Sequence, residues 1–332
     1  MHESLLIQRT MVKNYNFMKA SLVYLCVTCP LTLASLRVGF YKNSCPSVES
    51  IIRDIVERRF VEDKSVASAL LRMHYHDCFI RGCDASLLID STHSNQAEKA
   101  AGANFGVRGY ELIDKIKATL EDKCPQTVSC ADIIALATRD AVGLAGGPKY
   151  DVPTGRRDGL ISRSSEVNLP GPSSTVSEAR LAFKAHGLTL NEMVIILGAH
   201  TVGTAHCSFF QDRLSNFRGS GAADPKIDQE LLKKLKKICG LKSEDRTAFL
   251  DQNTSFVFDN MYYKQIVRRK GVLQIDQAIA EDKASSVFVA KLAANNGLFR
   301  RHFTKVIVKL GSLLVLEGNE GEIRRNCRVQ NG

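Results

Sequence analysis

The chain lacks what several protein classes require. Its 332 residues hold no long low-complexity tract, which excludes a fibrous or wholly disordered chain. No segment repeats at a fixed period, and strand-like alternation is scarce, so any sheet is expected to be small. No RNA- or DNA-binding motif is present. No apolar run is long enough to read as a membrane span. Outside the first 35 residues, no two cysteines stand in the C-x-x-C spacing of structural zinc sites. What remains is an ordinary globular balance, 44% apolar and 24% charged, able to bury one large core.

Near the N-terminus, Lys13 and Lys19 precede a mainly apolar stretch, 20–34, that contains Pro30 and ends in the small residues Ala34 and Ser35. This reads as a secretory signal peptide over 1–35, with Met18 as an alternative start and 1–17 an upstream extension. Its removal would take away Arg9, Lys13 and Lys19 against Glu3, moving the formal charge from +10 to +8. A basic protein attracts polyanions. The basic residues are scattered among acids, however, and the densest group, Lys233, Lys234, Lys236 and Lys237, shares a probable helix with Leu231, Leu232, Leu235 and Ile238. A solvated helix face is the plain reading; acidic cell-wall polysaccharide is the expected weak partner, and neither nucleic acid nor membrane is. Of ten cysteines, Cys26 and Cys29 fall in the presumed signal. The remaining eight, in an exported chain, predict four disulfides among 105 possible pairings.

Helical periodicity dominates from Ser47 onward, beginning with Val48, Ile51, Ile52, Ile55, Val56 and Phe60 on one stripe. Similar patterns predict helices over 65–79, 109–122, 129–144, 176–186, 190–197, 207–217, 229–239, 260–270, 283–295 and 298–310. Thr175 with Glu178, and Thr189 with Glu192, carry the spacing of a capping box. The Pro/Gly stretch 170–172 is the candidate lobe boundary.

The most informative segment is 70–86, LLRMHYHDCFIRGCDAS. On a helix, Arg72 and His76 lie one turn apart on one face. A neutral imidazole there can take a proton from one peroxide oxygen and return it to the other, while a guanidinium stabilises charge as the O–O bond breaks. Taken alone, such a pair more often packs or faces solvent. Asp77, Asp84 and Ser86 follow, with Gly82 between, and this density of oxygen donors on a turn suits a hard cation, although the spacing is not that of an EF-hand.

The run RMHYHDCFIRGCDASLL, with GFYKNSCP before it and SCADIIALATRDAVGLAGGP, VPTGRRDG, LGAHTVGTAHC, FDNMYY, LQIDQ and GEIRRNCRV after it, resembles the secretory plant peroxidases, class III of the plant-type haem peroxidase superfamily. The matches run in order over roughly 38–329. The resemblance implies an all-α, two-lobed fold over 36–332 with minimal β structure and haem between distal and proximal lobes. It implies Arg72 and His76 as the distal pair, with Asn104 accepting the His76 ring proton. Asp77, Gly82, Asp84, Ser86 and the carbonyl of Ile80 match the ligands of a distal Ca2+, and Glu98 the acid that holds a water beside them.

By the same resemblance His200, otherwise a buried histidine at a helix end, is the axial ligand of one haem b, as a proximal histidine is in peroxidases generally. Asp276, otherwise an exposed turn residue, accepts its other ring proton. Thr201, Asp251, Thr254, Asp259 and the carbonyl of Val257 match a second Ca2+ site. Pro170 matches a residue of the donor site at the haem edge. The implied disulfides are Cys45–Cys124, Cys78–Cys83, Cys130–Cys327 and Cys207–Cys239, and Asp132 with Arg156 matches a buried ion pair. The implied reaction is reduction of hydrogen peroxide with one-electron oxidation of small phenolic donors, by a monomer secreted to the apoplast or cell wall rather than the vacuole. Phenolic cross-linking and oxidative stress response are the implied roles.

Three positions depart from the family pattern: Tyr75 for a phenylalanine above the haem, Gly106 for a serine, and Gly311-Ser312-Leu313 for a glycine-asparagine turn. A non-catalytic calcium-stabilised binding protein would be expected to lack Arg72, His76, His200 or Asp276, and all four are present. A catalase-peroxidase is disfavoured by the short chain and eight cysteines.

Overall fold

The computed structural model describes residues 36–240 and 246–332, so the presumed signal segment, with Cys26 and Cys29, lies outside the described residues. The fold is mostly α, with twelve α-helices and one two-stranded sheet among the described residues.

Helix α1 (Val48–Glu62) buries Val48, Ile52, Ile55 and Val56, the stripe read from the sequence. Helix α2 (Val66–Cys78) is buried on most sides and carries Arg72 and His76. Helix α3 (Tyr110–Lys123) and helix α4 (Cys130–Leu144) complete a group in which α4 packs against α1, α2 and α3. Every residue of α4 from Cys130 to Val142 is buried, so its apolar surface faces protein all round. Its first amides are satisfied from outside the helix: Asp158 accepts from Cys130 and Ala131, and Ser129 Oγ from Asp132.

A second group comprises α5 (Val176–Ala185), α6 (Leu190–Leu197), α9 (Met261–Val267), α10 (Gln274–Glu281), α11 (Ser286–Ala294) and α12 (Asn296–Leu310), with α12 packed on α6 and α9 on α10 and α11. Short α7 (Gln211–Ser215) and α8 (Gln229–Cys239) lie between them in sequence. In α8 the leucines 231, 232 and 235 are buried and all four lysines exposed. Strands β1 (Thr204–His206) and β2 (Thr247–Phe249) pair antiparallel, with Ala205 opposite Ala248. No helix among the described residues is long and apolar enough to cross a membrane.

Both capping boxes form. Thr189 Oγ1 accepts from Glu192 N at 3.2 Å, and the Glu192 carboxylate accepts from Thr189 N at 2.7 Å. Because α6 leads directly into His200, Thr189→Ala is expected to cost about 1 kcal/mol of stability, measured as a shift of the urea midpoint at unchanged slope.

One helix reading fails, and one helix has no counterpart in the sequence analysis. The segment 207–217 is not one helix: Phe210 (φ −142°) interrupts it, and a 3₁₀ turn at Cys207–Phe209 is followed by the five-residue α7. Tertiary ties override the periodicity, since Cys207 is bridged to Cys239 and Arg213 is drawn inward to Asp224 and the carbonyls of Gly271 and Val272. Conversely, α10 went unread. It has no Ser, Thr, Asn or Asp cap and is only eight residues long, and its buried face mixes Asp276 and Gln277 with Ile275 and Ile279.

The four bridges are Cys45–Cys124, Cys78–Cys83, Cys130–Cys327 and Cys207–Cys239. The Cys78–Cys83 turn depends on Gly82, at φ +101°, where a Cβ would stand 2.2 Å from the carbonyl oxygen of Leu314. Leu314 itself follows the departing Gly311-Ser312-Leu313 turn and adopts φ +45°.

Candidate active site

The two helix groups bound one deep cavity. On one wall stand Arg72, Tyr75 and His76 of α2; on the other is His200, in the 3₁₀ extension of α6. Leu169, Phe183, Ile196, Leu197, Leu273, Ile275, Phe303 and Ile307 supply apolar lining between them, and Pro170 lies at the same cavity.

Their place on one face of α2 lets Arg72 Nε donate to His76 Nε2 at 3.2 Å. The guanidinium is also held by the carbonyls of Ala103 and Phe105, at 3.2 and 2.9 Å. His76 Nδ1 lies 2.6 Å from Asn104 Oδ1, and Asn104 Nδ2 donates to the Glu98 carbonyl at 2.7 Å. That second bond fixes the amide, so its oxygen faces the ring and accepts the Nδ1 proton. Nε2 is thereby left with its lone pair. Burial, then the Arg72 charge, lower the His76 pKa to about 4 against the opposing Asn104 bond, so the ring is neutral at ordinary pH. Gly106 (φ +74°) sits where a Cβ would approach His206 Nε2 to 3.0 Å and Arg72 Nη1 to 3.4 Å, which accounts for glycine at this departure.

On the opposite wall His200 Nδ1 lies 2.9 Å from Asp276 Oδ1, which also accepts from Tyr262 OH at 2.8 Å. Asp276 is buried rather than exposed on a turn, as its local sequence alone would suggest. The carboxylate holds the proton on Nδ1 and leaves Nε2 as a lone pair available to a metal. The local sequence does not mark Tyr262 as a site residue. Its partner is 14 positions away and no local pattern joins them; only the FDNMYY motif marks the segment.

The carboxylates 77, 84 and 98 gather beside the distal wall. Asp77 accepts from the amides of Ala85 and Leu87, and Asp84 from Ser86. Ser86 Oγ and both Glu98 carboxylate oxygens are buried without a hydrogen-bond partner. Burial, then mutual repulsion, raises the Asp77 pKa, and burial leads the rise of Glu98 to about 8. Orphaned oxygens among crowded acids are what a cation would satisfy. Ile80 and Gly82 lie in the adjoining turn. Beside His200, the hydroxyls of Thr201 and Thr254 both reach Asp251 and Asp259, at 2.9 to 3.3 Å; Val257 follows in the same loop. Among the described residues no three His, Cys, Asp or Glu side chains form a metal-ligand cluster, so either site would rest on mixed hydroxyl, carbonyl and carboxylate donors.

The model of the family described as Peroxidase matches residues 52–295 of this chain. The chain belongs to the peroxidase family. Among curated relatives of the enzyme, Peroxidase 57 of Arabidopsis thaliana is 51% identical over 318 residues, covering 96% of this chain and 99% of the relative. Peroxidase 44 of the same plant is 52% identical over 307 residues, 92% and 96% of the two chains. Peroxidase 5 of Vitis vinifera is 46% identical over 315 residues, 93% and 95%. This peroxidase is accordingly a class III plant enzyme that uses haem and takes hydrogen peroxide with a reducing substrate. The cavity fits that cofactor. It is a mainly apolar chamber with a free imidazole lone pair on one wall and a base and a cation on the other.

Proposed function

We propose that this cavity would hold one haem b through His200 Nε2 bonded to its iron, and that residues 36–332 form the mature secreted enzyme after loss of 1–35. Bound there, haem supplies the redox centre at which peroxide is reduced by two electrons. The observation that carries the reading is the pairing of opposed imidazoles across one chamber, each with its Nδ1 proton held by an acceptor and Nε2 left as a lone pair: His76 by Asn104 and His200 by Asp276.

The residues then divide the work. His76 Nε2 takes the proton from one peroxide oxygen and delivers it to the other, so that the departing oxygen leaves as water. Arg72 moves from Nε2 toward the peroxide and offsets the negative charge that builds as the O–O bond breaks. Asn104 keeps the tautomer, and Asp276 with Tyr262 orients His200 and raises its donor strength. Two small phenolic donors, approaching past Pro170, each give one electron and one proton, so that one peroxide and two phenols yield two waters and two phenoxyl radicals.

Two Ca2+ ions complete the reading. Asp77, Asp84, Ser86 and the carbonyls of Ile80 and Gly82 would hold the distal ion, with Glu98 placing a water. Thr201, Asp251, Thr254, Asp259 and the carbonyl of Val257 would hold the proximal one. The buried orphan oxygens of Ser86 and Glu98 support the first, and the crossed Thr–Asp contacts the second. Four disulfides fit an oxidising compartment, and a monomer in the apoplast or cell wall, weakly held by acidic polysaccharide, fits the basic charge.

The absorption spectrum of the purified protein, before and after one equivalent of peroxide and then a phenol, tests cofactor and chemistry together. A haem band that shifts with peroxide and returns with donor is expected; a correctly oxidised, calcium-loaded protein that takes up no haem would end the reading. The His76 pKa adds a pH profile. The rate of reaction with peroxide should stay level down through neutral and mildly acid pH, then fall as pH drops through about 4, because a protonated Nε2 can accept nothing. Stopped-flow measurement with an inflection near neutrality instead would contradict it.

A further inference from the structure

Tyr75 is the one tyrosine that lines the cavity among the described residues. Three buried tyrosines elsewhere satisfy their hydroxyls: Tyr41 donates to Asp132, Tyr262 to Asp276, and Tyr263 to the Val194 carbonyl. Among the described residues the Tyr75 hydroxyl has no hydrogen-bond partner, although its ring is firmly placed. It stacks on Phe183 with centroids 6.0 Å apart and planes at 19°, and meets Phe79 at 4.9 Å. His76 presents its ring edge-on at 5.7 Å. An oxidisable phenol is therefore held within the chamber where peroxide is reduced, beside a base and screened by phenyl rings.

We propose that Tyr75 is an internal electron donor to the peroxide-oxidised centre of this peroxidase, used when no external phenol is bound. The step rests on the haem reading above and balances as follows. The Tyr75 O–H bond breaks, one electron passes to the oxidised centre and the proton is released to solvent in the open chamber, leaving a neutral phenoxyl radical. The stored oxidising equivalents at the centre fall from two to one. An external donor later returns one electron and one proton to the Tyr75 oxygen, so the overall demand for two donors per peroxide is unchanged. Phe79 and Phe183, which are much harder to oxidise than a phenol, confine the radical to this ring.

The test uses the haem-loaded full-length enzyme, mixed with one equivalent of peroxide without donor and freeze-quenched for electron paramagnetic resonance. A radical is expected whose lines change when ring-deuterated tyrosine is incorporated, and which is absent from Tyr75→Phe. That variant keeps the ring and its stacking, and its first peroxide-oxidised absorption spectrum should outlive that of the parent. The same radical in Tyr75→Phe, or an oxidised spectrum with no tyrosine-derived radical in the parent, overturns the inference alone. A haem-loaded protein whose spectrum peroxide leaves untouched defeats the proposed function and this inference with it.

Discussion

Replacing His76 by leucine should leave a protein that still carries haem yet reacts with peroxide roughly 10²–10⁴-fold more slowly, the range that a positioned acid–base group contributes. The contacts that prepare His200 lie on the opposite wall: its bond to Asp276 and the Tyr262 hydroxyl behind it involve no atom of α2. The loss should therefore appear in the rate of the peroxide-induced spectral change, with the resting haem band preserved. Asn104 would lose the partner of Oδ1 while retaining its bond to the Glu98 carbonyl, so the loop stays anchored. A His76→Leu protein reacting at the parent rate would remove His76 from the mechanism.

The largest stability effect is expected from Asp132→Ala. This carboxylate is fully buried and accepts from three donors: Tyr41 OH and Gly155 N at 2.7 Å each, and Arg156 Nη1 at 2.6 Å. Arg156 is itself buried, and its Nε donates to the Gly311 carbonyl at 2.7 Å, so the pair ties α4 to the segment that follows α12. Truncation leaves a buried guanidinium without its counter-charge and should cost about 3–5 kcal/mol, whereas replacing the whole pair by apolar residues would cost far less. Denaturant unfolding of Asp132→Ala beside a double variant, Asp132→Leu with Arg156→Met, separates the two; equal losses would mean that the pair's own attraction, rather than the stranded charge, sets the effect.

What the sequence made legible follows from distance along the chain. Helices α1, α6 and α8 stand where their apolar stripes place them, and α6 starts at its capping box, because each signal is complete within a few residues. The Arg72–His76 bond is of the same kind, one helical turn. His76 with Asn104, and His200 with Asp276, are 28 and 76 residues apart. No local pattern joins such pairs, and only the family resemblance brings them together. Where long-range ties act on a short segment the local signal misleads. Arg213, drawn to Asp224, breaks up 207–217, and Asp276, drawn to His200 and Tyr262, gives α10 a polar inner face.

The Cys130–Cys327 bridge spans 197 residues, from the first turn of α4 to the segment that follows α12. During synthesis in an oxidising compartment the Cys130 thiol would wait, unpaired, until 197 further residues have followed it, while Cys45, Cys78, Cys83 and Cys124 already offer it nearer partners. Early mispairing is thus built into the order in which the thiols emerge, and production of this protein in a host without a disulfide isomerase should yield mainly scrambled material.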